Sequence, residues 1–236
     1  MQRTITLVVL VISLALGACG DSADPAAYFP TDTGLRWTYQ IRRTTMDGTA
    51  EQLYFVENYG NRQLSPELDA HVQRTFEGNR YYYHRGRRGW TRVAVQGVAE
   101  EQVRITPEPW LLIPAEPILG STWQQPTITR VLEKTGPPQV TLFRIQAQLP
   151  VTYKVAAIND VVTVPAGRFA RCLRIEGEGS LSTNVGNYIG TTSISLRSTD
   201  WYAPGVGLVK SELTESTSSD ALNHGALTIE LRDLRK

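Results

Sequence analysis

Side chains with the capacity for chemistry are scattered along these 236 residues. The histidines are His71, His84 and His224, far apart in sequence. There is no His-Glu-x-x-His, no Cys-x-x-Cys and no close carboxylate cluster. A zinc or copper site would need roughly three or four donors gathered by the fold itself, so neither a metal nor any other cofactor is expected. For nucleophilic acyl transfer, Gly-x-Ser-x-Gly is absent; Ser180 follows Gly179, but Leu181-Ser182 come next. A hydrolase whose triad is assembled from distant residues stays open as an alternative. Glu100 and Glu101 are adjacent, so on a strand they point to opposite faces and form no acid/base pair. The glycines at 205 and 207 lack the Lys and the strand-to-helix setting of a phosphate loop.

One charged stretch stands out. Arg85, Arg87 and Arg88 lie in Arg85-Gly86-Arg87-Arg88-Gly89, beside Tyr81, Tyr82, Tyr83 and Trp90. The pattern reads as a hairpin with a basic tip. Arginine binds phosphates and carboxylates through its planar fork, so lipid headgroups or lipopolysaccharide phosphates are the candidate partners of this surface. The blander reading is a solvated hairpin end whose charges keep a sheet edge from aggregating.

The cysteines are Cys19 and Cys172. Cys19 closes Leu16-Gly17-Ala18-Cys19, where an apolar run beginning at Ile5 gives way to polar chain. That run is roughly 12 residues long, the length of a signal-peptide core, and shorter than the roughly 20 a membrane-spanning helix needs. Arg3 supplies the positive charge before it. The stretch resembles the lipobox of bacterial lipoproteins. The resemblance implies that diacylglycerol is added to the Cys19 thiol and that the leader is cut before it. Residues 1–18 are then a signal peptide, 19–27 a lipidated flexible linker and 28–236 the β-domain. Two or more acyl chains hold a protein stably on a bilayer. In the same family, Asp directly after the Cys favours retention in the inner membrane. Gly20 holds that position here and Asp21 comes one later, which favours the periplasmic face of the outer membrane. Two alternatives stand beside this: a plain secretory leader, and a Cys19–Cys172 bridge. With Cys19 lipidated, Cys172 is a small buried hydrophobe.

Composition narrows the partners. Hydrophobic residues make up 41% and charged residues 20%, an ordinary globular balance. Net charge is +1, and the one basic residue before Cys19 is Arg3, so the remaining chain is balanced. A nucleic-acid-binding body needs a basic face, and none is expected.

Alternation of apolar and polar side chains runs through most of the chain after Tyr28. Trp37, Tyr39 and Ile41 alternate with Thr38, Gln40 and Arg42, the period of a half-buried strand. Met46-Asp47-Gly48, Glu77-Gly78-Asn79 and Pro165-Ala166-Gly167 read as turns. Ser65-Pro66-Glu67-Leu68 suits either one helical turn or the start of a strand over 68–76. The prolines at 107, 109, 114 and 117 predict an extended loop over 106–119. The Gly/Ser/Thr/Asn-rich residues 178–187 predict a loop, and so does 216–225. Pro150 marks an edge or a bend. Trp37, Trp123, Trp201, Phe55 and Phe169 are expected in the core. Gly34 precedes Trp37 by three residues, and Gly120 precedes Trp123 by three, a weak internal echo. The sum is an all-β domain, one curved antiparallel sheet (a half-barrel or open barrel) of about eleven to thirteen strands with few or no helices.

Three stretches carry a second resemblance: 28–39 around Tyr28-Phe29-Pro30 and Gly34-Leu35-Arg36-Trp37-Thr38-Tyr39; Val162 to Phe169 with Cys172 nearby; and Asp200 to Lys210. Together they resemble a broad set of bacterial exported proteins and lipoproteins whose shape is similar to the half-barrel lipoprotein carriers and lipid-binding lipoproteins. The resemblance implies a non-catalytic binding role in the cell envelope, for an apolar ligand or in envelope assembly, with a structural or protein-interaction subunit as the alternative. It brings no catalytic residues.

Overall fold

β-branched and aromatic residues at period two build strands along nearly the whole chain. The computed structural model describes residues 24–130, 133–136, 141–144, 147–184, 190–219 and 224–236. Cys19, with the expected leader and most of the linker, lies outside the described residues. The strands are Arg36–Thr45 (β1), Gly48–Ser65 (β2), Leu68–Thr75 (β3), Arg80–Gly86 (β4), Gly89–Gln96 (β5), Arg104–Pro114 (β6) and Thr122–Ile128 (β7). They continue as Glu133–Gly136 (β8), Thr141–Arg144 (β9), Gln148–Val164 (β10), Gly167–Asn184 (β11), Thr191–Ala203 (β12), Gly207–Thr217 (β13) and Gly225–Arg235 (β14). A 3-10 turn, Pro25–Tyr28, precedes them.

Twelve strands form one antiparallel sheet in the order β6-β5-β4-β3-β2-β1-β14-β13-β12-β11-β10-β7, while β8 and β9 pair separately. The all-β expectation holds, with the sheet rolled into a nearly closed barrel. The order is that of two consecutive meanders, β1 to β6 and β7 to β14, joined where β1 pairs with β14. Each meander opens in the same way. Gly34 and Gly120 take left-handed φ values of 85° and 84°, and a Trp follows three residues later. β-Branched residues resist that conformation, so the echo in sequence marks a repeated strand entry.

The barrel's seam lies between the edge strands β6 and β7. The Gln125 side chain spans it, accepting from the Leu111 N–H at 2.9 Å and donating to the Leu111 carbonyl at 3.0 Å. One amide thus does for β7 what a ladder partner would do. Inside, one cluster joins Leu149, Val151, Tyr153, Leu173, Ile175, Ile194 and Leu196 to Trp90, Ile113 and Phe29. A second gathers Trp37, Tyr39, Val162, Val164, Cys172, Val209 and Leu231. A third, around Ala70, Val72, Tyr82 and Ala94, packs against Leu64, Leu68 and Val103.

Several expectations need correction. Residues 104–114 are strand β6, where a loop was expected over 106–119. The prolines fit because β6 is an edge strand, and because its ladder to β5 skips from Trp110 to Ile105; Pro107 and Pro109 sit in that break. Residues 178–184 continue β11, paired with β12 from Gly179↔Leu196 to Asn184↔Thr191. The glycines there serve close packing: a Cβ on Gly177 would lie 2.6 Å from Ser198 Oγ, and one on Gly179 2.6 Å from the Pro150 carbonyl. Residues 185–187 lie outside the described set. Strand β13 runs through Thr217 and β14 starts at Gly225, which narrows the loop expected over 216–225. Pro66 and Glu67 form a turn into strand β3, so the strand option holds and the helical one does not. Pro150 lies one residue beyond the β10–β11 ladder, which ends at Val151↔Gly179, so its missing N–H breaks no bond on that side. Trp37 is core, and Trp123, Trp201 and Phe169 pack at its margins. Phe55 is not core: it is half-buried under the Arg36 guanidinium, 3.9 Å from the ring centroid, and edge-on to Phe76.

Removing the Gln125 amide leaves the Leu111 N–H and carbonyl without partners at a buried site. Gln125→Ala is expected to lose about 1–3 kcal/mol of stability and to speed hydrogen exchange at the Leu111 amide. Gln124→Ala, at an exposed neighbour, should change urea stability by less than about 0.5 kcal/mol.

Candidate functional site

Antiparallel strands put alternate turns at opposite ends of the barrel. At one end lie the 3-10 turn, Pro66-Glu67, Arg87-Arg88, the β6–β7 loop, Pro165-Ala166 and residues 204–206; this is the entry end. Asp24 caps the 3-10 turn by accepting from the Ala26 N–H at 2.9 Å, and Pro25 opens it. The segment then crosses the barrel mouth. Gly205 N–H donates to the Ala27 carbonyl at 2.6 Å, and the Tyr28 hydroxyl donates to the Arg171 carbonyl at 3.0 Å. Phe29 enters the interior, stacked on Trp90 at 4.4 Å and tilted against Tyr83 at 5.0 Å. Asn58 holds the exit by donating to the Pro30 and Asp32 carbonyls.

The basic hairpin forms as expected, β4 and β5 joined through Arg87-Arg88. Arg85 pairs with Asp24 at 3.5 Å, between two exposed side chains. Arg87 and Arg88 are exposed. The Arg88 carbonyl accepts from the Ala115 N–H at 2.8 Å, which ties this tip to the β6–β7 loop. That loop carries Ile118 and Leu119, 54% and 60% exposed. Sequence reasoning passed over this pair, which it placed at the end of an extended loop over 106–119 without assigning it a role. Two consecutive aliphatics between Pro117 and Gly120 were the available signal.

The other chemical candidates are not brought together. His71 is buried at 3% exposure beside Phe29, with Nδ1 3.2 Å from Asn61 Oδ1 and Nε2 unpartnered. Burial pushes its pKa down to about 4, against the opposing charge of Asp69. His84 Nδ1 lies 2.8 Å from the Asp69 carbonyl oxygen, and His224 is exposed. Ser180 lines an open groove of about 620 Å³ on the outer face of β10–β13, with Thr152, Glu178, Ser195, Arg197 and Ser216. No histidine lines that groove, and Glu178 is bonded to Arg197. Glu100 shapes the β5–β6 loop, accepting from the Gly97 N–H and pairing with Arg104. Burial, then the Asp160 charge, pushes the Cys172 thiol up to about 11, so it stays protonated and unreactive at neutral pH. Among the described residues no group of three or more His, Cys, Asp or Glu side chains stands where a metal could be held.

Sequence reasoning also passed over Asp200. The parity of β12 puts Ile194, Leu196, Ser198, Asp200 and Tyr202 on one face, toward the interior. Burial raises the Asp200 carboxyl above its usual range, against the Ser211 hydroxyl and the Arg130 charge. Tyr83 nearby is pushed up to about 12 by burial. The alternation carried this signal, but Asp200 was noted only as the start of the stretch that runs to Lys210.

No family model and no curated protein matches the chain. Among solved structures it is similar to a Bacteroides fragilis protein named as exported with a YmcC-like fold, at 13% identity and a TM-score of 0.43, over 88% of this chain and 98% of that one. It is also similar to a protein from Parabacteroides distasonis named as a lipoprotein, at 13% identity and a TM-score of 0.37, over the same shares of 88% and 98%. A third is a domain from Vibrio parahaemolyticus named as an outer membrane lipoprotein-sorting protein, at 9% identity and a TM-score of 0.31, over 89% of this chain and 88% of that one.

The His71 geometry makes stability pH-dependent in a defined direction. In the unfolded chain the ring takes up a proton as pH falls through about 6.5; in the fold it does so only near 4. The unfolded state therefore binds more protons in that window, and stability falls by up to about 3 kcal/mol as pH drops from about 6.5 through 4. His71→Gln should remove this component of the slope. Urea unfolding of both proteins at pH 4 to 7 checks it.

Proposed function

We propose that this protein is a lipid-anchored protein of the bacterial cell envelope that binds an envelope partner without catalysis. The anchor is Cys19, acylated after removal of residues 1–18, and the favoured site is the periplasmic face of the outer membrane. The observation that carries the reading is the entry segment. Five residues after Cys19, Asp24 is already seated on the body through its Ala26 cap and its Arg85 contact. A chain that runs from a lipobox into such a seat holds its domain close to the bilayer.

The non-catalytic part rests on how the reactive side chains are used. His71 and Cys172 are buried, Glu100 organises a loop, and Ser180 faces a groove that no histidine lines and whose Glu178 is held by Arg197. The interaction surface favoured for the partner is the outer face of β10–β13, where Thr152, Lys154, Glu176, Glu178, Arg197 and Thr199 line a second groove of about 540 Å³. This polar surface suits a protein partner of the envelope better than an acyl chain. The apolar-ligand reading is weaker at the entry end, because Phe29 and Trp90 fill the interior there.

Cys19→Ser is expected to abolish incorporation of a fatty-acid probe and to move the protein from the membrane fraction to the soluble periplasm. Labelling that persists in this variant would refute the anchor. Gly20→Asp should shift the acylated protein toward the inner membrane on a density gradient, as the sorting rule for lipoproteins implies.

A further inference from the structure

The two ends of the barrel differ in charge and in what they expose. On the far end, the described turns carry Asp47, Glu77, Glu100 and Glu101, of which Glu100 pairs with Arg104, together with the exposed Arg130 after β7. On the entry end stand Arg85, Arg87 and Arg88, with Arg171 beside Tyr28 on the opposite rim. Acids are present there too: Asp24 pairs with Arg85, Asp32 pairs with Lys236, and Glu67 and Glu116 lie on exposed turns. Both ends expose apolar side chains, Met46, Phe76, Val98, Ile105 and Ile128 at the far end, and Ile118, Leu119 and Val161 at the entry end. Phe76 packs edge-on against Phe55. Ile118 and Leu119, in contrast, sit in a loop pinned at one end to the arginine hairpin by the Ala115–Arg88 bond and at the other to β10 by the Gly120–Val155 bond. An aliphatic pair on the same rim as cationic side chains matches a bilayer interface, where apolar groups enter the acyl boundary and arginines meet phosphates.

The chain outside the described residues decides which end can reach a membrane. Cys19 precedes Asp24 by five residues, a reach of at most about 18 Å when fully extended. Asp24 touches Arg85, at the base of the Arg87-Arg88 tip. The far end is separated from it by the length of the strands. β5, from Gly89 to Gln96, has 8 residues, a span of roughly 25 Å. A tether that short, fixed at that rim, brings the entry end to the bilayer and keeps the far end away from it.

From this geometry we infer that the entry end is a membrane-docking surface: Arg87 and Arg88 bind the phosphates of anionic phospholipid headgroups while Ile118 and Leu119 enter the interface. The inference rests on the anchor reading for its orientation and adds the surface that the anchor presses onto the bilayer. Acylation then needs only to hold the domain near the leaflet, and the docking surface sets its tilt. The outer face of β10–β13 stays turned toward the aqueous side, open to a partner.

The surface is tested apart from the anchor with the chain from residue 19 onward carrying Cys19→Ser, which has no lipid. It is mixed at low ionic strength with vesicles of phosphatidylethanolamine and phosphatidylglycerol. Association with these vesicles, and weaker association with vesicles of phosphatidylcholine, is expected. The pair Arg87→Gln/Arg88→Gln should lower association on the order of tenfold, and Ile118→Ser/Leu119→Ser should lower it to a similar degree. Met46→Ser at the far end should leave it unchanged. Thermal melting of each variant confirms the fold, since all these side chains are exposed. Absence of vesicle binding by the parent chain, or binding that neither entry-end pair weakens, overturns the docking surface. Acylation of the wild-type chain is read by mass spectrometry, so failure of the anchor is seen separately.

Discussion

The structure depends on the segment that runs from Asp24 to Leu35 across the barrel mouth. A rolled sheet of two meanders has a strong joint at β1–β14 and a weak seam between β6 and β7. The entry segment braces both halves at one end. Phe29 lies against Trp90 and Tyr83 of the first meander, while Ala27 and Tyr28 bond to Gly205 and Arg171 of the second. Burying a phenyl ring contributes about 1.5–3 kcal/mol, and its aromatic contacts add about 0.5–1.5 kcal/mol. That exceeds what the two Gln125 bonds supply at the seam, each about 1 kcal/mol net. The mouth is therefore held by packing and the seam by register, and the same residues that close the mouth carry the chain toward Cys19.

Much of this was legible in sequence because period two is a strong signal. Trp37, Tyr39 and Ile41 fell on one face, where alternation put them. The turns at Asp47-Gly48, Gly78 and Pro165-Ala166 were readable from residues that favour positive φ or fix it. The errors share a cause. Glycine and proline were read as loop formers, yet Gly177 and Gly179 are small because neighbouring chain comes close, and Pro107 and Pro109 are tolerated because a ladder breaks beside them. Composition reports that a residue is unusual; only the pairing of strands says why.

The site was legible in part for a related reason. Arg85, Arg87 and Arg88 are consecutive enough to be seen as one tip. Ile118 and Leu119 lie about thirty residues away, and their nearness to that tip arises from β6 running back along β5. Asp24 meets Arg85 only because the entry segment crosses the mouth. Contacts of that kind are set by topology, and no local pattern encodes them.

The interior argues for a body that works from its outside. A barrel that carries an acyl ligand needs an apolar space that side chains leave empty. Here aromatic side chains occupy parts of the described interior. Phe29, Trp90 and Ile113 fill it near the entry; Tyr153 stacks on Trp123 at 5.6 Å and meets Trp110 edge-on at 5.9 Å farther along. Between them Asp200 brings a carboxyl inward, with Ser211 and Arg130 as counterweights. A buried acid is tolerated where polar groups satisfy it and is a poor neighbour for a hydrocarbon chain. A carboxyl on that wall makes the rims and the outer face, where exposed arginines and aliphatics stand, the better candidates for recognition.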